Sequence, residues 1–293
     1  MKQDESRLFR MSVGQNIVKE LSKLLPTEIN THRIIDHNDL MGTPTKDCQV
    51  FINKLNEVSE GKIFLLTFES EMEEIKRALI SLMALIGMVL QVEKRDNSFW
   101  YSLGVDLMAD PNAGNGIGEN PFHIDMLTFS HFPLGMTILC ERPDSKNGGS
   151  TLLSDLGVHS KLPQKYADVL RKKRFTYWKD EGLEQVGQHL TTFSILPARE
   201  SSRVRFTSKL SKWFNLHPNL KLNQREVLIH AIMQYETLLK RNQIIISLES
   251  SQALIFSQLH YAHGRTALGE GQIEVNPSLS RQLWRAYFNY ANI

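Results

Sequence analysis

The amino-acid sequence predicts a mainly β fold with flanking helices, because short strand-like segments dominate the second part of the chain. From Phe99 onward, runs of apolar and β-branched residues recur between turn-forming residues. These runs are FWYSLGV, FHIDMLTF, MTILCE, STLLSDL, IIISLE, ALIFSQL and LWRAYFNY. Several short strands separated by turns are typical of a β-sandwich or a β-barrel.

Segments with helical periodicity surround this strand-rich part. Apolar spacing predicts helices over residues 13–25 and 70–92, and KIFLLTF at 62–68 predicts a buried strand between them. Further helices are expected over 163–173 and 223–240, the latter capped by Asn223. We therefore expect residues 1–95 to form a mainly helical cover with one strand, and residues 96–293 to form a β core with a helical insert. No internal repeat or Pro/Ser-rich linker divides the sequence, which favours a single domain over residues 1–293.

Composition and charge disfavour several classes of protein. A hydrophobic fraction of 41% and a charged fraction of 23% are ordinary for soluble globular proteins. The formal charge of +2 gives no overall field that would attract nucleic acid or an anionic membrane. No stretch approaches the roughly 18 apolar residues that cross a bilayer, and the two cysteines, Cys48 and Cys140, suit a reducing compartment. We expect a soluble cytoplasmic protein with neither nucleic-acid nor membrane partners.

His123 and Asp125 in FHIDML form a candidate metal-binding pair. Side chains alternate along a strand, so both residues would point to the same face and reach one ion. A second histidine from a distant strand would complete a two-histidine, one-carboxylate set that leaves adjacent coordination positions open. His263 in YAHGRTAL is the candidate, and His260 is a competitor that would point to the opposite strand face.

Other interpretations of these histidines remain open. His-x-Asp pairs arise by chance, and His37 and Asp39 form a second one among polar, turn-forming residues, where solvated side chains are expected. His123 could also be a core histidine satisfied by a neighbour. The Gly- and Asn-rich segment 109–120 precedes FHIDMLTF, and either closes over a pocket or is an ordinary connection.

Four motifs resemble, in order, the landmarks of a known enzyme family. FHIDMLTF, GGSTLLSDL, AHGRTAL and SRQLWR are similar to those of the taurine dioxygenase and clavaminate synthase-like oxygenases, over about residues 99–290. The resemblance implies a double-stranded β-helix core, a cupin-like jelly roll. It also implies an Fe(II)- and 2-oxoglutarate-dependent dioxygenase that consumes O2, with His123, Asp125 and His263 as the iron ligands.

The resemblance further implies anchors for the cosubstrate and the substrate. Thr151 and Arg281 match positions that hold the distal carboxylate of 2-oxoglutarate, and a guanidinium can grip a carboxylate through two parallel hydrogen bonds. Arg285, on the same strand face, matches an arginine that binds an anionic group of the substrate. The segment from His263 to Arg281 is longer than in relatives, so Arg285 and Arg265 stay open as alternatives to Arg281. The turn in SLESSQALIF also lacks the glycine usual in relatives.

The expected reaction is hydroxylation, desaturation or cyclisation of a free amino acid or similar small anionic metabolite. In this reaction 2-oxoglutarate is decarboxylated to succinate and CO2. The resemblance argues against halogenation, because halogenating relatives lack the carboxylate that Asp125 supplies. The main alternative is a non-catalytic jelly-roll sensor or scaffold that retains the metal site. A zinc hydrolase is disfavoured because no HExxH spacing is present, and a nucleic-acid demethylase because there is no basic stripe.

Overall fold

Two β-sheets with helices packed outside them account for most of the described chain. The computed structural model describes residues 5–26, 34–91, 99–127, 129, 132–172, 175–176, 192–197, 203–210 and 221–290. Within these residues the fold is sheet-rich with several helices, which confirms the mainly β class with flanking helices.

The bounds of the elements are as follows. The strands are β1 (Leu8–Val13), β2 (Ile34–Ile35), β3 (Ile63–Phe68), β4 (Gly87–Leu90), β5 (Tyr101–Gly104), β6 (Asn120–His123), β7 (Gly135–Arg142), β8 (Thr151–Asp155), β9 (Phe175–Thr176), β10 (Thr192–Phe193), β11 (Gln243–Ile246), β12 (Gln252–Ser257), β13 (Tyr261–Arg265) and β14 (Gln282–Tyr290). The α-helices of the described residues are α1 (Gln15–Leu24), α2 (Lys46–Leu55), α3 (Met72–Ile86), α4 (Gln164–Arg171) and α5 (Leu222–Arg241).

The larger sheet has the strand order β1-β3-β12-β7-β14-β4-β2, and β5 pairs with the first half of β14. β1 and β3 are parallel, whereas the other pairs in this sheet are antiparallel. The smaller sheet is antiparallel throughout, with the order β11-β8-β13-β6. β9 and β10 pair separately as a short ribbon.

The two sheets pack face to face, since one buried hydrophobic cluster contains residues of both. It includes Leu65, Met136 and Leu254 of the larger sheet and Leu153 and Ile244 of the smaller one. Strand alternation sends Phe64 and Leu66 to the opposite face of β3, where they join a second cluster with α1, α2 and α3. A third cluster packs α4 and α5 against the outer face of the smaller sheet. The helices therefore cover both outer faces.

The N-terminal part contributes more strands than expected. Residues 1–95 were expected to supply one strand, but β1, β2, β3 and β4 all join the larger sheet. The helix expected over 70–92 ends at Ile86, and the rest of its apolar run forms β4. Gly87 allows this change, because a Cβ atom there would lie 1.8 Å from the carbonyl oxygen of Asn289 on β14.

Other expected elements lie close to their predicted positions. The helices expected over 13–25, 163–173 and 223–240 correspond to α1, α4 and α5, and the strand expected over 62–68 corresponds to β3. The expected cap at Asn223 is wrong. Lys221 is the N-cap residue of α5, and its side chain makes no capping hydrogen bond.

A serine occupies a left-handed backbone position in the turn between β11 and β12. Ser251 has φ 61°, in the segment SLESSQALIF where relatives usually carry glycine. Its amide donates to the Cys140 carbonyl at 2.9 Å, and its carbonyl accepts from the Phe68 amide at 3.0 Å. The two cysteines, Cys48 and Cys140, are free and buried. No helix in the described ranges is long and apolar enough to cross a membrane.

Candidate metal centre and carboxylate pocket

Two histidines meet across the smaller sheet. His263 on β13 and His123 at the end of β6 are directly paired in the antiparallel register. Paired residues point to the same face of a sheet, and here the ring centroids are 4.2 Å apart. The predicted partnership of these two histidines is therefore present in the fold.

Asp125 reaches the same place by a different route from the expected one. The continuous strand expected for FHIDMLTF is wrong, because β6 ends at His123 and Asp125 lies in the following turn. The Asp125 amide donates to Gln258 Oε1 at 2.8 Å, and Met126 adopts φ 56° in the left-handed region. Gln258 is fully buried, and its Nε2 donates to the Pro133 carbonyl at 3.0 Å. A turn fixed by a buried glutamine thus places this carboxylate, and strand alternation does not.

His123, Asp125 and His263 form a compact set of potential metal ligands. One ligand atom from each residue lies within 4.8 Å of the other two. His123 Nε2 is 3.3 Å from Asp125 Oδ1, and His263 Nε2 is 3.6 Å from Asp125 Oδ2. Two imidazoles and one carboxylate grouped in this way are the donor set typical of non-haem iron sites.

The competing histidines lie elsewhere. His260 Nε2 is 3.0 Å from the Ser59 carbonyl oxygen, away from the metal centre. His37 and Asp39 are exposed in a short 3-10 turn, where the Asp39 carboxylate accepts from the Asp36 amide. This position agrees with the solvated turn expected for them.

The protonation states of the set suit metal binding. Burial, followed by the nearby His123, lowers the pKa of His263 to about 4, so its imidazole is neutral at pH 7. Burial would raise the pKa of Asp125, but Arg285 and the two histidines hold it well below its usual value. His123 Nδ1 lies 2.8 Å from the Pro121 carbonyl oxygen, which leaves Nε2 free to face a metal. His263 Nδ1 is buried and has no hydrogen-bond partner among the described residues.

Arg285 and Tyr287 both contact the Asp125 carboxylate. Arg285 Nη1 donates to Oδ2 at 2.8 Å, and the Tyr287 hydroxyl donates to the same oxygen at 2.6 Å. The guanidinium of Arg285 also lies 5.1 Å from the ring centroids of both Tyr101 and Tyr287. Sequence reasoning missed Tyr287, although it stands two residues after Arg285 and hence on the same strand face.

A pocket extends from the proposed metal centre between the sheets. It is lined by Leu103, Gly114, Asn120, His123, Met136, Ile138, Thr151, His263, Gly264, Arg265, Arg281, Leu283 and Arg285. All the predicted site residues except Asp125 belong to this lining, and Asp125 touches Arg285. The structure therefore brings the predicted metal, cosubstrate and substrate residues together.

Arg281 is a buried cation that has no acceptor within the described part of the chain. Its residue is only 5% exposed, and its guanidinium makes no hydrogen bond to any described part of the chain. Burial, and then the neighbouring Arg265, lowers its pKa to about 10. The Thr151 hydroxyl, also buried, likewise has no partner among the described residues. A carboxylate is the acceptor that would satisfy both groups.

Arg265 has a different environment. It is paired with Thr151 across β13 and β8, but its Nη2 already donates to the carbonyl oxygens of Gly116 and Gly118 at 2.6 and 2.7 Å. Arg265 therefore fastens segment 109–120 to the sheet next to the metal centre. The segment also carries Gly114 into the pocket lining, so its position shapes the site.

Asp144 organises the backbone around Arg281. Its carboxylate accepts hydrogen bonds from the amides of Lys146, Gly148 and Gly269 at 3.0, 3.0 and 2.8 Å, and from Gln272 Nε2 at 2.9 Å. The Gly148–Gly149 pair then passes close to its neighbours. A Cβ atom would lie 2.2 Å from the Gly269 nitrogen at Gly148, and 3.0 Å from Arg281 Nε at Gly149. The two glycines of GGST are thus explained by close packing.

Comparison with known proteins agrees with this geometry. The profile of the family described as "Taurine catabolism dioxygenase TauD, TfdA family" matches residues 76–287, which is most of the chain. A comparison with curated protein sequences gives no significant match.

Solved structures with similar folds include two oxygenases. Asparagine oxygenase in complex with Fe(II), 2S,3S-3-hydroxyasparagine and succinate has a TM-score of 0.66 and 14% identity, over 96% of this chain and 93% of that chain. The non-heme iron oxygenase OrfP with Fe and alpha-ketoglutaric acid has a TM-score of 0.65 and 10% identity, over 96% and 94%. OrfP with Fe and L-Arg gives 0.59 and 11%, over 96% and 93%. At these identities the similarity concerns the fold, and the family match over residues 76–287 shows that the chain belongs to the TauD, TfdA family of dioxygenases.

Proposed function

We propose that the protein is an Fe(II)- and 2-oxoglutarate-dependent dioxygenase that oxidises a small, anionic, amino-acid-like substrate. The single observation that carries this proposal is the junction of two features in one pocket. A set of two histidines and a carboxylate lies at one point of the site, and a buried arginine that finds no acceptor in the described ranges lies at another. The family match and the fold shared with asparagine oxygenase and OrfP support the same conclusion.

His123, Asp125 and His263 are the proposed iron ligands. Their donor atoms are close together, the His263 imidazole is neutral and the Asp125 carboxylate is charged at neutral pH, as a metal site requires. Bound Fe(II), together with 2-oxoglutarate and O2, would supply the oxidising chemistry, with succinate and CO2 as products. The protein itself holds, orients and shields the reactants.

Arg281 and Thr151 are the proposed anchors of the distal carboxylate of 2-oxoglutarate. The absence of any acceptor for either group among the described residues supports this assignment. Arg265 is less suitable, because two backbone carbonyls fix its Nη2 and leave only its buried Nε and Nη1 without partners among the described residues. A bidentate carboxylate at Arg281 would fix the cosubstrate so that its other end faces the histidines.

Arg285 is the proposed contact for an anionic group of the substrate. It lines the pocket beside aliphatic side chains of Leu103, Met136, Ile138 and Leu283, which suit the hydrocarbon part of a small acid. The contact between Arg285 and Asp125 would then link substrate binding to the metal centre. The amino acids and hydroxylated amino acids bound by asparagine oxygenase and OrfP favour a free amino acid as substrate and hydroxylation as the reaction.

The architecture proposed for residues 1–293 is one oxygenase domain with a double-stranded β-helix core. The two sheets face each other with the proposed metal ligands between them, and the fold resembles that of asparagine oxygenase and OrfP. Both observations support a double-stranded β-helix core.

Anaerobic titration tests the proposed function. The protein is loaded with Fe(II), 2-oxoglutarate is added, and the weak visible charge-transfer band of the chelate is recorded. We expect a saturable band, followed by succinate formation when O2 and a set of amino acids are supplied. A band without succinate for any amino acid would favour the alternative, a sensor or scaffold that retains the metal site. The absence of both Fe(II) binding and a band would contradict the proposal.

A further inference from the structure

The two oxygens of the Asp125 carboxylate have different surroundings. Oδ2 accepts from the Tyr287 hydroxyl at 2.6 Å and from Arg285 Nη1 at 2.8 Å. Oδ1 is 3.3 Å from His123 Nε2. Oδ2 thus accepts from two strong donors and lies 3.6 Å from His263 Nε2, whereas Oδ1 lies nearer to the imidazole nitrogen beside it.

Both donors are held firmly by the larger sheet. Tyr287 is only 2% exposed, lies on β14, and is paired with Met136 on β7 and with Leu90 on β4. The Arg285 guanidinium lies over the rings of Tyr101 and Tyr287. The turn that carries Asp125 comes from the other sheet, so these hydrogen bonds join the two sheets at the metal centre.

We propose that Tyr287 is a positioning residue which, with Arg285, reserves Oδ2 for hydrogen bonding and presents Oδ1 alone to the metal. The inference rests on the proposed iron site. A carboxylate can bind a cation through one or both of its oxygens. If Asp125 used both, it would occupy a coordination position that a chelating keto acid and O2 need. A phenol suits this role because it donates a short hydrogen bond without adding charge beside the cation.

The variant Tyr287→Phe tests the proposal, since it removes one hydroxyl and keeps the packed ring. Tyr290→Phe is the matched control. Tyr290 is also buried on β14, but its hydroxyl donates to the Leu134 carbonyl at 3.3 Å and makes no contact with Asp125. Fe(II) affinity is measured anaerobically by calorimetry. The visible spectrum of the Co(II)-loaded protein is recorded as well, because its intensity depends on coordination number.

We expect Tyr287→Phe to bind Fe(II) about tenfold or more weakly, as is typical when the hydrogen-bond partner of a metal ligand is removed. Its Co(II) spectrum should differ from that of the wild type, whereas Tyr290→Phe should match the wild type in both measurements. Wild-type affinity and an unchanged Co(II) spectrum in Tyr287→Phe would overturn the proposal. A wild-type protein that fails to bind Fe(II) would instead refute the metal site itself, so the two failures are distinguishable.

A double-mutant cycle on the metal-free protein keeps the test decisive if Tyr287→Phe lowers stability. Unfolding by urea is compared for wild type, Tyr287→Phe, Asp125→Ala and the double variant. If Tyr287 acts through Asp125, Tyr287→Phe should have a much smaller effect in the Asp125→Ala background. Equal effects in both backgrounds would show a general packing role and would overturn the proposal.

Discussion

His263 lies directly across the antiparallel pair of β13 and β6 from His123, with 4.2 Å between the ring centroids. Backbone pairing fixes the separation of these two imidazoles, whereas a turn and a glutamine side chain set the position of Asp125. The proposed metal centre thus combines two histidines placed by strand pairing with a carboxylate whose position depends on neighbouring side chains.

Replacing any of the three proposed ligands should abolish iron binding and turnover. We expect His123→Ala, Asp125→Ala and His263→Ala each to lose stoichiometric iron, because removing one donor of three opens the site to water. Iron content and succinate formation are measured on each purified variant. His37→Ala and Asp39→Ala are controls, since both side chains are exposed away from the centre. Full activity in His263→Ala would contradict the assignment.

Arg281→Lys should weaken 2-oxoglutarate binding by about tenfold or more, which corresponds to about 1.4 kcal/mol or above. Lysine keeps the charge but loses the planar pair of donors that grips a carboxylate. The apparent affinity is read from the charge-transfer band of the anaerobic complex. Arg265→Lys is the matched control, and we expect a smaller loss because its Nη2 is engaged by Gly116 and Gly118. A larger loss in Arg265→Lys would move the anchor to that residue.

Asp144→Asn should destabilise the protein by about 1–3 kcal/mol, because the NH2 group that replaces Oδ2 cannot accept the hydrogen bonds donated by the Gly148 and Gly269 amides. Burial would raise the pKa of Asp144, but its amide donors lower it overall. The stabilisation is therefore complete above the unfolded pKa of about 3.9, and is lost as pH falls through the lower folded value.

Urea unfolding of wild type and Asp144→Asn at several pH values checks this prediction. The difference in unfolding free energy should be constant near neutrality and should shrink below about pH 4. Asp168→Asn, on the exposed surface of α4, should show little difference at any pH. A difference between wild type and Asp144→Asn that grows on acidification would contradict the interpretation.

Ser251→Val should destabilise the protein by about 1–2 kcal/mol, because a β-branched side chain is strained at φ 61°. Ser251→Gly should retain or slightly increase stability, since glycine adopts this conformation freely and both hydrogen bonds of the turn involve the backbone. Thermal unfolding of the two variants provides the comparison. Equal stability of Val and Gly at this position would show that the left-handed conformation is absent in solution.

The residues that meet in the pocket were predictable from the sequence where they lie within recognisable motifs. Histidine and aspartate are common metal-binding residue types, so His123, Asp125 and His263 stand out in the sequence. The motif AHGRTAL contains His263, and the motif GGSTLLSDL contains Thr151 of the pocket lining. The strands of the core were also predictable from the sequence, because buried strands consist of continuous apolar runs such as those of β7 and β12.

The remaining features depend on contacts between distant segments. β4 looks helical in sequence, and only the close approach of Gly87 to Asn289 explains its strand conformation. The turn that carries Asp125 depends on Gln258, which lies 133 residues further along the chain. From the sequence alone, Tyr287 resembles an ordinary core aromatic residue. Only the structure shows that its hydroxyl donates to the Asp125 carboxylate. The local periodicity of a sequence gives no information on such contacts between distant residues.

The strand order of the larger sheet has a consequence for how the polypeptide acquires its structure during synthesis. β12 and β14 lie in the interior of that sheet, so β1 and β3 join β7 only through β12, and β4 and β2 join it only through β14. A nascent chain that has emerged as far as β4 can therefore form only the β1–β3 and β2–β4 pairs of this sheet, and it still lacks the strands that join these pairs. Translation must therefore proceed through residues 282–290 before all strands of the larger sheet can pair. Ribosome-bound chains stalled before β14 should consequently be far more sensitive to protease than chains stalled well beyond it.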